Sequence, residues 1–207
     1  MNKMFRSSAL ALTVALLAGC SVFKSNALPE QTFVLRPSAP VAAGVTVPAG
    51  IQLLRPVIEP GLDSQRLVLV RPGNRMDYYA GARWTGTLAD VWQSLAAQRL
   101  RASGAFASVD TDRGGFGAQY VLAITVRRFE AEYGADSEAA PTVHVLLECT
   151  LGDRAGRATL ASFDVATNVQ ADANRLGSVV AALERAANDA VTQVIERSAA
   201  AVAGKGR

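Results

Sequence analysis

The chain is predicted to adopt a mixed α/β fold, a largely antiparallel sheet with two main helices packed on it. Three observations lead there. Apolar residues recur at helical spacing in two stretches, Leu88 to Leu100 and Leu176 to Ile195. They alternate with polar ones from Thr142 to Val169, the period-two pattern of half-buried strands. The elements follow one another as strands, helix, strand meander, long helix, which makes one face of a sheet the natural place to bury both helices.

Taken in order, Lys3 and Arg6 precede a weakly polar to apolar run, Ala9 to Ala18, and Leu17-Ala18-Gly19-Cys20 closes it with small residues. This resembles the lipobox of bacterial lipoproteins, in which small residues give a peptidase access to the bond before a lipidated cysteine. The run is shorter than the roughly 20 apolar residues a membrane span needs. Residues 1–19 are therefore expected to be a removed signal peptide, residues 20–31 a lipidated tether beginning at Cys20, and residues 32–207 a single domain. The residue after the cysteine, Ser21, stands where an aspartate would act as an inner-membrane retention signal in enteric-type sorting. Its presence favours the outer membrane.

Loss of Lys3 and Arg6 leaves 19 basic against 18 acidic residues. The precursor's net +3 is thus no argument for a nucleic-acid partner. With Cys20 lipidated, Cys149 has no partner for a disulfide within the chain.

Thr32 to Leu35 reads as a short strand, and residues 37–50 as a Pro/Ala/Gly loop without periodicity. Ile51 to Ile58 and Arg66 to Val70 read as strands about the turn Glu59-Pro60-Gly61-Leu62-Asp63. The stretch NRMDYYAGARWTG, residues 74–86, holds two of the four tyrosines and one of the two tryptophans beside Arg75, Asp77 and Arg83. It reads as a segment between a strand and a helix, where loops carry function. Thr87 and Asp90 form a Thr-x-x-Asp variant of the capping box, and Ser103-Gly104 ends the helix they open. Trp92 lies on its apolar stripe.

From Tyr120 to Tyr133 a strand is expected with Leu122, Ile124 and Val126 on one face and Thr125 and Phe129 on the other. Next, Val143, Val145, Leu147, Cys149 and Leu151 share one face of a strand, while His144, Glu148 and Thr150 point the other way. The turn at residues 152–156 leads to a third strand. The last helix shows one apolar stripe with Arg185, Asn188 and Glu196 away from it, and Asp172 or Asn174 is expected to cap it.

The sequence offers little of the chemistry that catalysis or metal binding needs. His144 is the single histidine and has no nucleophile among its strand neighbours. Cys149 sits on an apolar face, where cysteine behaves as a small hydrophobe. Gly114, Gly115 and Gly117 precede a strand, whereas a phosphate-binding loop opens a helix, so they read as a turn. No catalytic residue, metal ligand or cofactor site is expected.

Six stretches, LLAGCS, TFVLRP, NRMDYYAGARWTGTLADVWQSL, GAFASV, APTVHVLLECTL and ANRLGSVVAALERAANDAV, together resemble the ABC-type transport auxiliary lipoproteins, the PqiC-like family. The most specific parts are Tyr78 to Trp84 with the helix after it, and Asn174-Arg175-Leu176. The resemblance implies a non-enzymatic periplasmic subunit, lipid-anchored to the outer membrane. It would work with an MCE-domain protein and an ABC permease/ATPase complex in moving lipid between membranes. Homo-oligomerisation stays open. A structural or assembly lipoprotein is the alternative, and an enzyme acting on lipid or envelope polymer a more distant one. Within the aromatic stretch, Arg75, Tyr78 and Arg83 are the candidate partner contacts, since Tyr and Arg are enriched at interface hot spots. Trp84 and Trp92 are expected to anchor the segment to the core.

Overall fold

One strand organises the sheet. In a computed structural model describing residues 29–39, 43–111 and 117–205, β7 (Ala118–Glu132) pairs antiparallel from Tyr120 to Glu132 with β8 (Thr142–Asp153), and β8 with β9 (Ala158–Gln170). Its other flank is shared by three parallel partners in succession. They are β2 (Val47–Leu53) beside Ala118 to Leu122, β3 (Val57–Ile58) beside Thr125 and Val126, and β4 (Arg66–Arg71) beside Ala131 and Glu132. β6 (Phe106–Thr111) adds in parallel to β2. β5 (Arg75–Trp84) forms an antiparallel hairpin with β4, and β1 (Gln31–Phe33) lies parallel to β5. The result is the expected mixed, largely antiparallel sheet with two helices, α1 (Leu88–Ser103) and α2 (Leu176–Lys205). Cys20 and Ser21, the signal segment and most of the tether lie outside the described residues, as do Gly114 and Gly115.

Both helices pack on one face of the sheet. Val143, Val145, Leu147, Cys149 and Leu151 of β8 are sealed beneath them, with Val179, Leu183, Ala187, Val191 and Val194 of α2 opposite. The α1 cap forms as the sequence predicts: the Thr87 hydroxyl accepts from the Asp90 N–H and donates to its carboxylate, which also pairs with Arg55. Gly104, at φ +64, takes the left-handed conformation that closes the helix. At α2 the expected caps are engaged elsewhere, Asp172 with Arg185 and Asn174 with the Ser137 and Glu138 carbonyls.

Several expectations are corrected. Ile51 to Ile58 is two strands, because Pro56 brings no N–H to a ladder and interrupts the run. Residues 74–86 are mostly strand, since β5 spans Arg75–Trp84, and β6 was not foreseen. In β7 a bulge between Val126 and Arg128 adds one residue and reverses the alternation after it. Phe129 therefore joins the face of Leu122, Ile124 and Val126. There it meets Trp92 edge-on at 5.2 Å and Trp84 tilted at 5.7 Å between ring centroids.

Asn188, expected to lie away from the core stripe, is buried and belongs to a polar clamp. The clamp centres on Arg99 of α1, itself 4% exposed. One Arg99 Nη donates to the carbonyls of Ser38 (3.1 Å) and Ala39 (3.0 Å) and to the Ser38 hydroxyl (2.8 Å), the other to Thr192 Oγ1 at 2.6 Å. Asn188 donates to the Arg36 carbonyl and accepts from the Ser38 N–H, while Glu184 accepts from the Arg36 N–H. The chain just after β1 is thus fastened to both helices.

Candidate functional site

The wing made by β4, β5 and β1 carries the three residues proposed as partner contacts. β5 holds little apolar material, and it stays in the sheet because Ala82 and Trp84 face inward as buried anchors. Between them and Tyr78 the β4–β5 register shifts, and Gly81 sits at φ +65 within the shift. A residue without Cβ takes that conformation without strain, as β-bulges require.

The bulge decides which side chains meet. In the hairpin Arg66 opposes Arg83 and Val68 opposes Tyr78, so Arg66, Tyr78 and Arg83 share the face that bears no helix among the described residues. The Arg66 guanidinium lies 4.8 Å from the Tyr78 ring centroid. Arg83 pairs with Glu30 at 3.2 Å and reaches Thr32 Oγ1 at 3.5 Å. Tyr78 is half-buried over this surface, and Arg83 is exposed. Arg75 does not join them. It opposes Arg71 at the turn end of the hairpin, on the other face with Asp77.

Asp77 is held below the usual carboxylate range, first by accepting the Tyr78 backbone N–H at 2.8 Å and further by Arg71 at 3.5 Å and the charge of Arg75.

On the helix side, Tyr79 begins a hydrogen-bonded relay. Its hydroxyl stands 3.0 Å from that of Tyr133, which donates to Asn174 Oδ1 at 2.9 Å. Since Tyr133 spends its one proton on Asn174, Tyr79 is the donor to Tyr133. Burial, and then the Tyr133 contact, push the Tyr79 phenol above its ordinary range. Asn174 in turn ties down the loop between β7 and β8 through the Ser137 and Glu138 carbonyls. The tyrosine stretch and the Asn-Arg-Leu motif, about a hundred residues apart in sequence, thus meet through Tyr133. Nothing in the local sequence around Tyr133 signals this, nor the Arg66 and Glu30 contacts.

Cys149 and His144 are each engaged locally. Burial pushes the Cys149 thiol up to about 12, so it carries no thiolate near neutrality. His144 Nδ1 lies 2.6 Å from Asn168 Oδ1 and Nε2 3.5 Å from Glu132. Among the described residues there is no group of three or more His, Cys, Asp or Glu placed to hold a metal ion, and no helix is long and apolar enough to cross a membrane.

A family model described as "ABC-type transport auxiliary lipoprotein component" matches residues 33–195. Among curated proteins, none matches this chain. The fold is similar to that of a Xanthomonas campestris protein from a family known by a domain-of-unknown-function label, at TM-score 0.76 and 21% identity, covering 85% of this chain and 99% of that one. It is also similar to a second solved, uncharacterized protein at TM-score 0.64 and 11% identity, covering 82% and 99% of the two chains. These two likenesses concern the fold. The match over residues 33–195 takes in β2 to β9, α1 and the first twenty residues of α2, and by it the chain belongs to the ABC-type transport auxiliary lipoprotein family.

Proposed function

We propose that the chain is a non-enzymatic periplasmic subunit, anchored to the outer membrane through Cys20, of an MCE/ABC-type system that moves lipid between membranes. It acts by docking: a tethered body holds the outer-membrane end of the conduit in place. The observation that carries the reading is the family match across residues 33–195. The docking surface we assign is the face of the wing that bears no helix among the described residues, where Arg66, Tyr78 and Arg83 stand together, while Arg75 lies on the opposite face. Tyrosine and arginine are among the residue types enriched at interface hot spots.

Pull-downs with the MCE protein and the permease/ATPase complex from the same cell test this. Tyr78→Ala and Arg83→Ala are expected to weaken capture by about 1 kcal/mol or more, the order of a hot-spot residue, while the thermal unfolding curve moves little. Normal capture beside early unfolding would make the segment a packing element and send the search for the interface elsewhere.

Anchoring is tested separately. Cys20→Ala is expected to release a folded, soluble body, because several acyl chains at about 0.8 kcal/mol per buried methylene are what hold it to the bilayer. Membrane fractionation that still found the variant tightly bound would reject a lipid-only anchor. In an enteric-type host, Ser21→Asp is expected to shift the protein to the inner membrane.

A further inference from the structure

The strand register, together with the length of chain between Cys20 and β1, sets which end of the body can lie against the membrane. β1 runs parallel to β5, with Gln31 beside Ala82 and Phe33 beside Trp84. β5 starts at the β4–β5 turn and leads away from it. The chain therefore enters β1 from the side of that turn. The same end of the sheet holds the β7–β8 loop, residues 133–141, and the junction of β9 with α2, residues 171–175. The opposite end holds the β8–β9 turn, residues 154–157, and the last residues of α2, where Lys205 pairs with Asp153.

Distances along the strands follow from the pairing. Thr32 lies beside Arg83, Arg83 beside Arg66, and Arg66 three residues before Leu69, the partner of Ala131. Thr32 is thus level with about Arg128. At about 3.3 Å per residue this is about 13 Å from the Glu132 end and about 33 Å from the Ala118 end. The eleven-residue step from Cys20 to Gln31 spans about 38 Å at full extension, and about 19 Å as a relaxed coil. A relaxed tether brings the near end to the bilayer. Bringing the far end there needs the tether reversed and drawn almost straight.

We propose that the body stands with the β4–β5 turn, the β7–β8 loop and the β9–α2 junction against the bilayer surface, and turns the β8–β9 end toward the periplasm. The inference rests on lipidation of Cys20. Tether length rather than charge sets the orientation, because Asp77, Glu132, Asp136, Glu138 and Asp172 at the near end outnumber Arg71, Arg75 and Arg175. Such a surface has no electrostatic attraction to an anionic leaflet.

The test uses the full lipidated chain with one added cysteine, Ala135→Cys in the β7–β8 loop or Ala155→Cys in the β8–β9 turn, both exposed. Cys149 is buried and escapes labelling. Each protein is labelled with a fluorophore, floated with phosphatidylethanolamine/phosphatidylglycerol vesicles, and quenched by nitroxide carried on lipid headgroups. Quenching at residue 135 is expected to exceed that at residue 155 several-fold. Equal quenching, or the reverse order, overturns the inference. Ser137→Cys and Arg154→Cys form an independent pair should either alanine variant misfold. Inserting about 20 Gly/Ser residues between Ser25 and Asn26 is expected to erase the difference. A difference that survived would assign orientation to the body's own affinity and overturn the tether mechanism. Failure of the unlabelled chain to float would instead reject the lipid anchor, before any quenching is measured.

Discussion

Truncation of Phe129 to alanine destabilises the protein by about 3–5 kcal/mol, the range for removing a buried aromatic ring. The ring is 2% exposed and sits against both Trp84 and Trp92, so its loss leaves a cavity between a strand, a hairpin and a helix that cannot all close on it. For a body of this size the melting temperature is expected to fall by about 2–4 °C per kcal/mol, on the order of 10 °C in all. Deleting Arg127 is the contrasting companion. It removes the extra residue of the β7 bulge and leaves Val126, Arg128 and Phe129 in unbroken alternation opposite Leu147, Leu146 and Val145, so Phe129 keeps its place and the loss is confined to the exposed Arg127 pairs with Glu59 and Glu148 and to the local bend. A deletion variant that lost as much stability as Phe129→Ala would show that the bend itself is needed for the aromatic packing. A small shift for Phe129→Ala would show that the two tryptophans pack without it.

Replacing Arg99 by alanine is expected to cost about 2–4 kcal/mol, since the buried oxygens that lose a donor each forfeit about 1–3 kcal/mol when left alone and some regain water. The acceptors around Arg99 in the clamp are neutral: the Ser38 and Ala39 carbonyls and the hydroxyls of Ser38 and Thr192. The effect should therefore appear together with increased protease cleavage near residues 36–39. Arg99→Met keeps most of the side-chain volume and separates the two causes. Full recovery with methionine would make Arg99 a space-filling residue, whereas a loss equal to that of alanine assigns the stability to the hydrogen bonds. An unchanged unfolding curve in both would remove the clamp from the account of stability.

Where one face of an element is apolar, the sequence is legible. The period-two pattern of β8 and the 3.6-residue stripe of α2 report burial directly, and the Thr87/Asp90 cap is local chemistry. β5 was hidden because Arg75, Met76, Asp77, Ala80, Gly81 and Arg83 are mostly exposed and the alternation breaks at Gly81. The same bulge explains what happened to the candidate site. In an unbroken strand Arg75 and Arg83, eight positions apart, would share a face and Tyr78 would oppose them. One shift in register places Tyr78 with Arg83 and leaves Arg75 behind. Arg99 was unreadable for a different reason: its partners are backbone carbonyls some sixty residues earlier, and no residue type announces them.

The position of β7 shapes how the chain can fold as it arrives. Strands β2, β3 and β4 each need β7 as a parallel neighbour, and β7 follows them with β5, α1 and β6 between. Parallel pairing across such separations is slow, because the loop must close before any contact rewards it. A polypeptide delivered from its N-terminus therefore presents apolar strands such as Ile51–Leu53 and Leu67–Leu69 before the strand that completes their pairing exists. The meander of β7, β8 and β9 is local and can form as soon as it emerges, but it buries its inner face only when α2, the last element, has followed. The inner face of the sheet thus stays open until α2 has been delivered, and truncation that removes α2 is expected to leave an aggregation-prone sheet rather than a smaller folded body.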